Sequence, residues 1–226
     1  MNAIGAAILW LAVTVAVYAG ARQLHRRRRS AALNPALVSI AVLIAVLVVT
    51  RTPYRDYERG VTLLSFWLGP AIVALGAPLA RQLPLVRRNA LAVAVSMIAG
   101  AAVGIIIAVT VASLAGASPA VVRSLAPRSA TTPIAMAIAA RIGGIPALSA
   151  IVSIASGALG GTIGVAVLRI LNIHSRLATG LALGGAAHGL GTARAADLGD
   201  VEGATAAMAM GVVGVLTAVF VGIGWW

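Results

Sequence analysis

A chain of 226 residues that is 61% hydrophobic and only 10% charged, with a mean hydropathy of +1.03, is not an ordinary soluble domain, in which roughly a quarter of residues are charged. Its net charge of +12 comes from seventeen basic residues, all arginine, which lie mostly between apolar runs; they read as topology signals and not as a nucleic-acid-binding face. Cysteine is absent, which excludes disulfides, thiolate metal sites and thiol catalysis, and three isolated histidines form no metal-binding pattern.

A helical bilayer crossing needs about 20 apolar residues. In chain order, runs of this kind occupy residues 3–21, 35–50, 61–80, 89–122, 142–168 and 203–226. The first is followed, not preceded, by its basic residues, so it reads as a retained span and not as a cleavable signal. Two further segments, 129–140 and 177–193, are apolar but short, and they carry Thr, Pro or Gly where a spanning helix would carry Leu. The first of them, at about 1.5 Å per residue, reaches only about 18 Å of a hydrocarbon core about 30 Å thick. The pattern predicts an all-α polytopic membrane protein: one integral membrane domain over 1–226, with about six full transmembrane helices and two short broken or re-entrant segments.

Arginines set the orientation. The loop 22–29 holds five, 81–88 three and 169–176 two, and all three loops are expected on the inside. Six alternating spans then leave both termini outside, provided that the short segments do not change sides; eight crossings, with both short segments spanning, would also end outside but would move Arg169 and Arg176 outward. Arg26 to Arg29 also suit anionic lipid head groups, and Trp225 and Trp226 read as an interfacial anchor. A faint internal echo links GPAIVALGAPLARQ from Gly69 with TTPIAMAIAARIGG from Thr131, each followed by an apolar run with paired glycines, Gly100 and Gly104 in one and Gly157 and Gly161 in the other. Proline-broken apolar segments in corresponding halves are a pointer to a transporter site.

The densest polar chemistry lies in GLALGGAAHGLGTARAADLGDVEG from Gly180, where an apolar chain concentrates glycine with His188, Thr192, Arg194, Asp197, Asp200 and Glu202. Ionisable groups at membrane depth are costly, about 2.5–3.5 kcal/mol for a central Arg or Asp on insertion scales, and mark functional sites by default. Together with PRSATTPIAMAIAARIGGIPALSA from Pro127, with NPAL at Asn34 and LGPAIVALGAPL at Leu68, this stretch resembles the LrgB/CidB family of bacterial membrane proteins. The resemblance implies location in the bacterial cell (inner) membrane and a partner, a small LrgA/CidA-type membrane protein. It also implies two competing roles: antiholin-like or holin-like modulation of murein hydrolase activity and lysis, or, as in plastid relatives, carriage of small monocarboxylates of the glycolate, glycerate, lactate or pyruvate type.

The family-like positions are Arg128, Ser129, Thr131, Thr132 and Pro133 in the first block, and His188, Gly189, Gly191, Thr192, Arg194 and Glu202 in the second. Relatives commonly have Lys at the position of Arg128, Ser at that of Ala187 and an acidic side chain near Ala140, so this chain keeps the basic group and lacks the other two. Chemically, a helix starting at the Thr-Thr-Pro turn presents N–H groups and a positive dipole end to an anion. Thr131 or Thr132 would cap those donors, and Arg128 suits two parallel hydrogen bonds to a carboxylate.

Gly184, Gly185, Gly189 and Gly191 would let the second block approach closely, with Thr192 and Arg194 presenting polar groups. His188, with Glu202 second, is the candidate for proton coupling, since an imidazole changes charge between pH 5 and 8; the coupling ion would be H⁺ or Na⁺, with no cofactor. Structural readings stand beside these. Arg128 can be a snorkelling interfacial residue, His188 a core histidine bonded to a carbonyl, Arg194 and Asp197 a surface ion pair, Asp200 a cap and Glu202 a favourable charge at the start of the last helix. The remaining glycines, including Gly160 and Gly164, suit close helix packing. No nucleophile and base pair is legible, so an enzyme is not expected, while a homo-oligomer is compatible with the pattern.

Overall fold

The structure, a computed structural model, describes residues 3–28, 34–74 and 76–223. Eleven helices and no strand are present among the described residues, and they fall into two compact units, within Met1–Ala74 and within Leu75–Trp226.

The first unit holds α1 (Ala3–Arg28), α2 (Pro35–Val49), α3 (Tyr54–Gly60) and α4 (Thr62–Ala74). The 22–28 arginines prolong α1, and its last turn carries His25, Arg26, Arg27 and Arg28, where positive charge favours the negative end of the helix dipole. Asn34 caps α2 through an Oδ1 that accepts from Ala36 N at 2.9 Å, with Pro35 in the first turn. Buried Trp10 meets the edge of Tyr57 at 5.6 Å between centroids, and Gly60 sits so close that a Cβ there would come within 2.8 Å of the Trp10 side chain.

The second unit holds α5 (Gly76–Arg88), α6 (Ala90–Leu114), α7 (Pro119–Leu125), α8 (Thr132–Arg141), α9 (Pro146–Ile170), α10 (Arg176–Leu198) and α11 (Asp200–Ile223). Four helices among the described residues are long and apolar enough to cross a membrane: α1, α6, α9 and α11. Of the expected six full spans, four are thus single helices of spanning length among the described residues. The 35–50 run forms only the 15-residue α2, and the 61–80 run is divided between α4 and α5. The 89–122 run stops at Leu114, turns through Gly116 at φ +74° and restarts at Pro119. Glycine accepts that left-handed turn without a Cβ penalty, so an apolar run that looks continuous in sequence is cut by one backbone angle. Trp225, Trp226 and Arg29 lie outside the described residues.

Both short segments double back within the second unit. α8 has ten residues, about 15 Å of helix. Ser124 Oγ at the end of α7 accepts from Ile145 N at the start of α9, at 2.7 Å, so α7–α8 enters and leaves at the same end of the unit. Its turn reaches inward, where a Cβ on Gly104 of α6 would stand 2.8 Å from Ser129 Oγ and Ala130 O accepts from Ser153 Oγ of α9 at 2.8 Å.

α10 enters from the opposite end. Its helical φ/ψ fails at one residue, His188, at φ 37°, ψ −121°, and the neighbours of its two limbs define a reversal. In the first limb, Gly180 abuts Glu202 and Thr205 of α11, and Gly184 and Gly185 abut Ala206 and Val213, running parallel to α11. In the second limb, Thr192 Oγ1 meets Met210 Sδ at 3.8 Å while Ala196 lies against Gly203, running antiparallel to it. Gly191 closes the hairpin, since a Cβ there would overlap the Leu183 carbonyl of the first limb. The tip lies against Gly157, near the middle of α9. Two doubled-back segments from opposite ends therefore meet halfway along the spanning helices.

Candidate functional site

The meeting point is held by a ring of hydrogen bonds. His188, 5% exposed, sets its Nε2 2.9 Å from the Arg128 carbonyl; a carbonyl only accepts, so Nε2 carries the proton and donates. Arg128 Nη1 donates to Ser156 Oγ of α9 at 3.3 Å, and Ser156 Oγ donates to the Ala186 carbonyl at 3.5 Å, two residues before His188. The turn before α8, the tip of α10 and the middle of α9 are thereby tied together. Gly157, Gly160, Gly161 and Gly164 of α9 make the approach feasible, as a Cβ on each would press on Ala187, His188, Leu190 or Leu183.

At this depth two helix starts converge, that of α8 at Thr132 and that of the second limb of α10 after His188. Thr131 stands at the N-cap of α8 with Pro133 in the first turn, but no side chain caps that end; the expected Thr131 or Thr132 cap is not formed. The first-turn N–H groups are therefore without a side-chain acceptor, three to four residues after Arg128 in sequence, and a helix start of that kind favours an anion.

A cavity of about 690 Å³ in the second unit reaches this point. Arg128 and Ser129 line its inner part, beside Gly104 of α6 and Ala186 of α10, while Asn89, Ile173 and Ser175 line the end at which α6 and α10 begin. Arg88, Arg169 and Arg176 belong to that same end, at the finish of α5 and α9 and the start of α10. The walls between are mostly apolar.

The sequence-predicted residues are thus gathered only in part. Arg128, Ser129 and His188 come together. Gly189 is exposed, with nothing within 4 Å of a Cβ position, and Gly191 serves the hairpin. Thr192 is buried against Met210, facing α11 instead of the cavity. Thr131, Thr132 and Arg194 are half-buried and do not line the cavity. Arg194 and Asp197 form no ion pair among the described residues; the pair that does form is Arg176 with Glu202.

That pair is bidentate, Nε to Oε1 at 2.9 Å and Nη2 to Oε2 at 3.1 Å. It ties the start of α10 to the first turn of α11, so the Glu202 carboxylate is engaged at the base of the hairpin and not beside His188.

Sequence reasoning missed the serines of α9. Ser149, Ser153 and Ser156 occupy one helix face with Gly157, and their hydroxyls reach Ala135 O, Ala130 O and Ala186 O. The signal was present as serines at i, i+4 and i+7 in an apolar helix, the spacing of a single face.

The description LrgB-like family matches residues 14–225 of the chain. Among curated relatives, the protein YwbG of Bacillus subtilis (strain 168) is 36% identical over 93% of both chains. YxaC of the same organism is 31% identical over 95% of this chain and 93% of its own length. A protein named antiholin-like protein LrgB from Bacillus cereus (strain B4264) is 34% identical over 83% of this chain and 82% of its own. No solved structure matches. With a family match across nearly its whole length and relatives above 30% identity, this multi-pass helical membrane protein belongs to the LrgB-like family.

Proposed function

We propose that the chain carries small hydroxy or keto monocarboxylates across the bacterial cell membrane, with Arg128, the start of α8 and the His188 tip as its central site. The observation that carries this reading is the contact of two oppositely entering re-entrant segments through Arg128 O and His188 Nε2, beside a cavity open toward one end. Discontinuous helices meeting at mid-depth, with helix N-termini facing the substrate, are the usual architecture of secondary carriers. One cationic side chain and two helix starts suit one carboxylate; Ser129 and Thr131 stand close enough in sequence to serve a hydroxyl or keto oxygen.

In this reading the arginine-bearing end faces the cytoplasm by the positive-inside rule, so the cavity is the inward access path. The α7–α8 segment closes the other side. His188, or a bound Na⁺, couples transport to an ion gradient, and an LrgA/CidA-type membrane protein is the working partner. The expected six crossings belong to this proposal, with α2 and the α4–α5 stretch as the two crossings besides the four long helices.

The name of the Bacillus cereus relative, antiholin-like protein LrgB, favours the second role that the family resemblance implies, regulation of murein hydrolase activity and lysis. Proteoliposomes containing the chain, with and without its LrgA-type partner, separate the two. A carrier gives saturable, mutually competitive uptake of glycolate, lactate and pyruvate that falls in Arg128→Ala. Non-selective dye release with no saturable uptake would instead support the lysis reading.

A further inference from the structure

The cavity is large and apolar for an acid of two or three carbons. Along α6 its lining runs from Asn89 beyond Gly104, about 22 Å between those two residues at 1.5 Å per residue. Between its mouth and Arg128 the walls are built from Val93, Met97, Leu177, Leu181 and Ala182, with few polar groups to hold water in order. Among the described residues that line it, Arg128 is the one charged side chain, and it stands at the inner end with Ser129.

A single cation at the inner end of an apolar trough is complementary to an amphipathic anion: one carboxylate inward, a hydrocarbon tail outward, no second charge. We propose that the site also takes unbranched aliphatic monocarboxylates, whose tails lie along α6 and the first limb of α10. This rests on the carboxylate-site reading above and extends its substrate class. A second carboxylate at the far end of the tail would fall among Met97, Leu181 and Ala182, where a charge has no partner. Dicarboxylates of equal length are therefore refused. Each methylene that is fully buried raises affinity about fourfold, so chain length discriminates strongly even when burial is partial.

The absence of cysteine allows a test that does not depend on transport. Ala182→Cys places one thiol on the trough wall, in full-length protein in liposomes, and its alkylation by a maleimide is timed with acetate, octanoate or suberate. Octanoate is expected to slow alkylation about tenfold at a concentration at which acetate and suberate do not, and the protection is expected to vanish in an Arg128→Ala background. Equal rates with octanoate and acetate would overturn the proposal, as would protection that survives Arg128→Ala, which marks mere partition into the bilayer, or equal protection by suberate. Ala178→Cys, on the same wall, repeats the measurement should the first variant fail to insert. Protection without saturable pyruvate uptake would leave the tail site standing and remove the carrier reading; uptake without protection would do the reverse.

Discussion

Gly184→Ala gives the sharpest test of the reversed α10. An added Cβ would overlap the carbonyl oxygen of Ala206 and stand 2.6 Å from its C and Cα, where ordinary contact begins at 3.4 Å, so α10 and α11 must separate by more than about 0.8 Å. All three obstacles are backbone, with no rotamer to yield. Overpacking of this kind costs about 1–3 kcal/mol, against an intrinsic gain of up to about 1 kcal/mol for replacing helical Gly by Ala. Gly100→Ala is the matched control: also helical, it meets nothing within 4 Å of a Cβ position, so it should keep the propensity gain and lose nothing. Thermal unfolding of the purified protein should place Gly184→Ala lower by roughly 2–12 °C, at about 2–4 °C per kcal/mol for chains of this size. If the two variants melt alike, the first limb of α10 does not pack on α11 as described.

His188 offers a test of backbone geometry against helix propensity. At φ 37°, ψ −121° it occupies a region natural to glycine, so His188→Gly should be more stable than His188→Ala by about 1–3 kcal/mol, the reverse of the order inside a regular helix; denaturation of the two variants decides it. Ser156→Ala removes the hydroxyl that holds the Arg128 guanidinium, a loss of about 0.5–1.5 kcal/mol, and should shift KM for the carboxylate several-fold with maximal rate retained, while Ser156→Thr restores the wild-type KM in the same uptake assay. For the Arg176–Glu202 pair, side-chain exposure is 60% and 10% respectively. Removing the arginine strands a buried carboxylate, whereas neutralising the acid frees a solvated cation. Arg176→Ala should therefore melt below Glu202→Gln, and the opposite order would refute this account of the base of the hairpin.

Short-range properties were legible. The apolar runs named a helical membrane chain, and the Thr-Thr-Pro turn placed the start of α8 at Thr131 or Thr132, where it is found. Because too few apolar residues surround it to cross a bilayer, the 129–140 segment had to be discontinuous. Gly143, at φ +73°, forms the turn beyond α8, a backbone angle that glycine accepts without a Cβ penalty. Span counting was less secure. Hydropathy averages over a window, while a helix can be cut by a single residue such as Gly116, and an apolar run such as 61–80 can be shared between two helices.

The sequence by itself determined the class of protein, the arginine-rich end, the two interrupted segments and the residue types available for an anion. Tertiary structure decided what those residues do. Arg128 and His188 are sixty positions apart, Arg176 and Glu202 twenty-six, and no local periodicity records either partnership. Nor does an Ala- and Gly-rich stretch reveal that it turns back on itself. That reversal rests on one strained φ/ψ at His188, and what sustains it is the match between the α10 glycines and the backbone of α9 and α11. Composition can supply small residues for close packing, but which surfaces use them is fixed only when the helices meet.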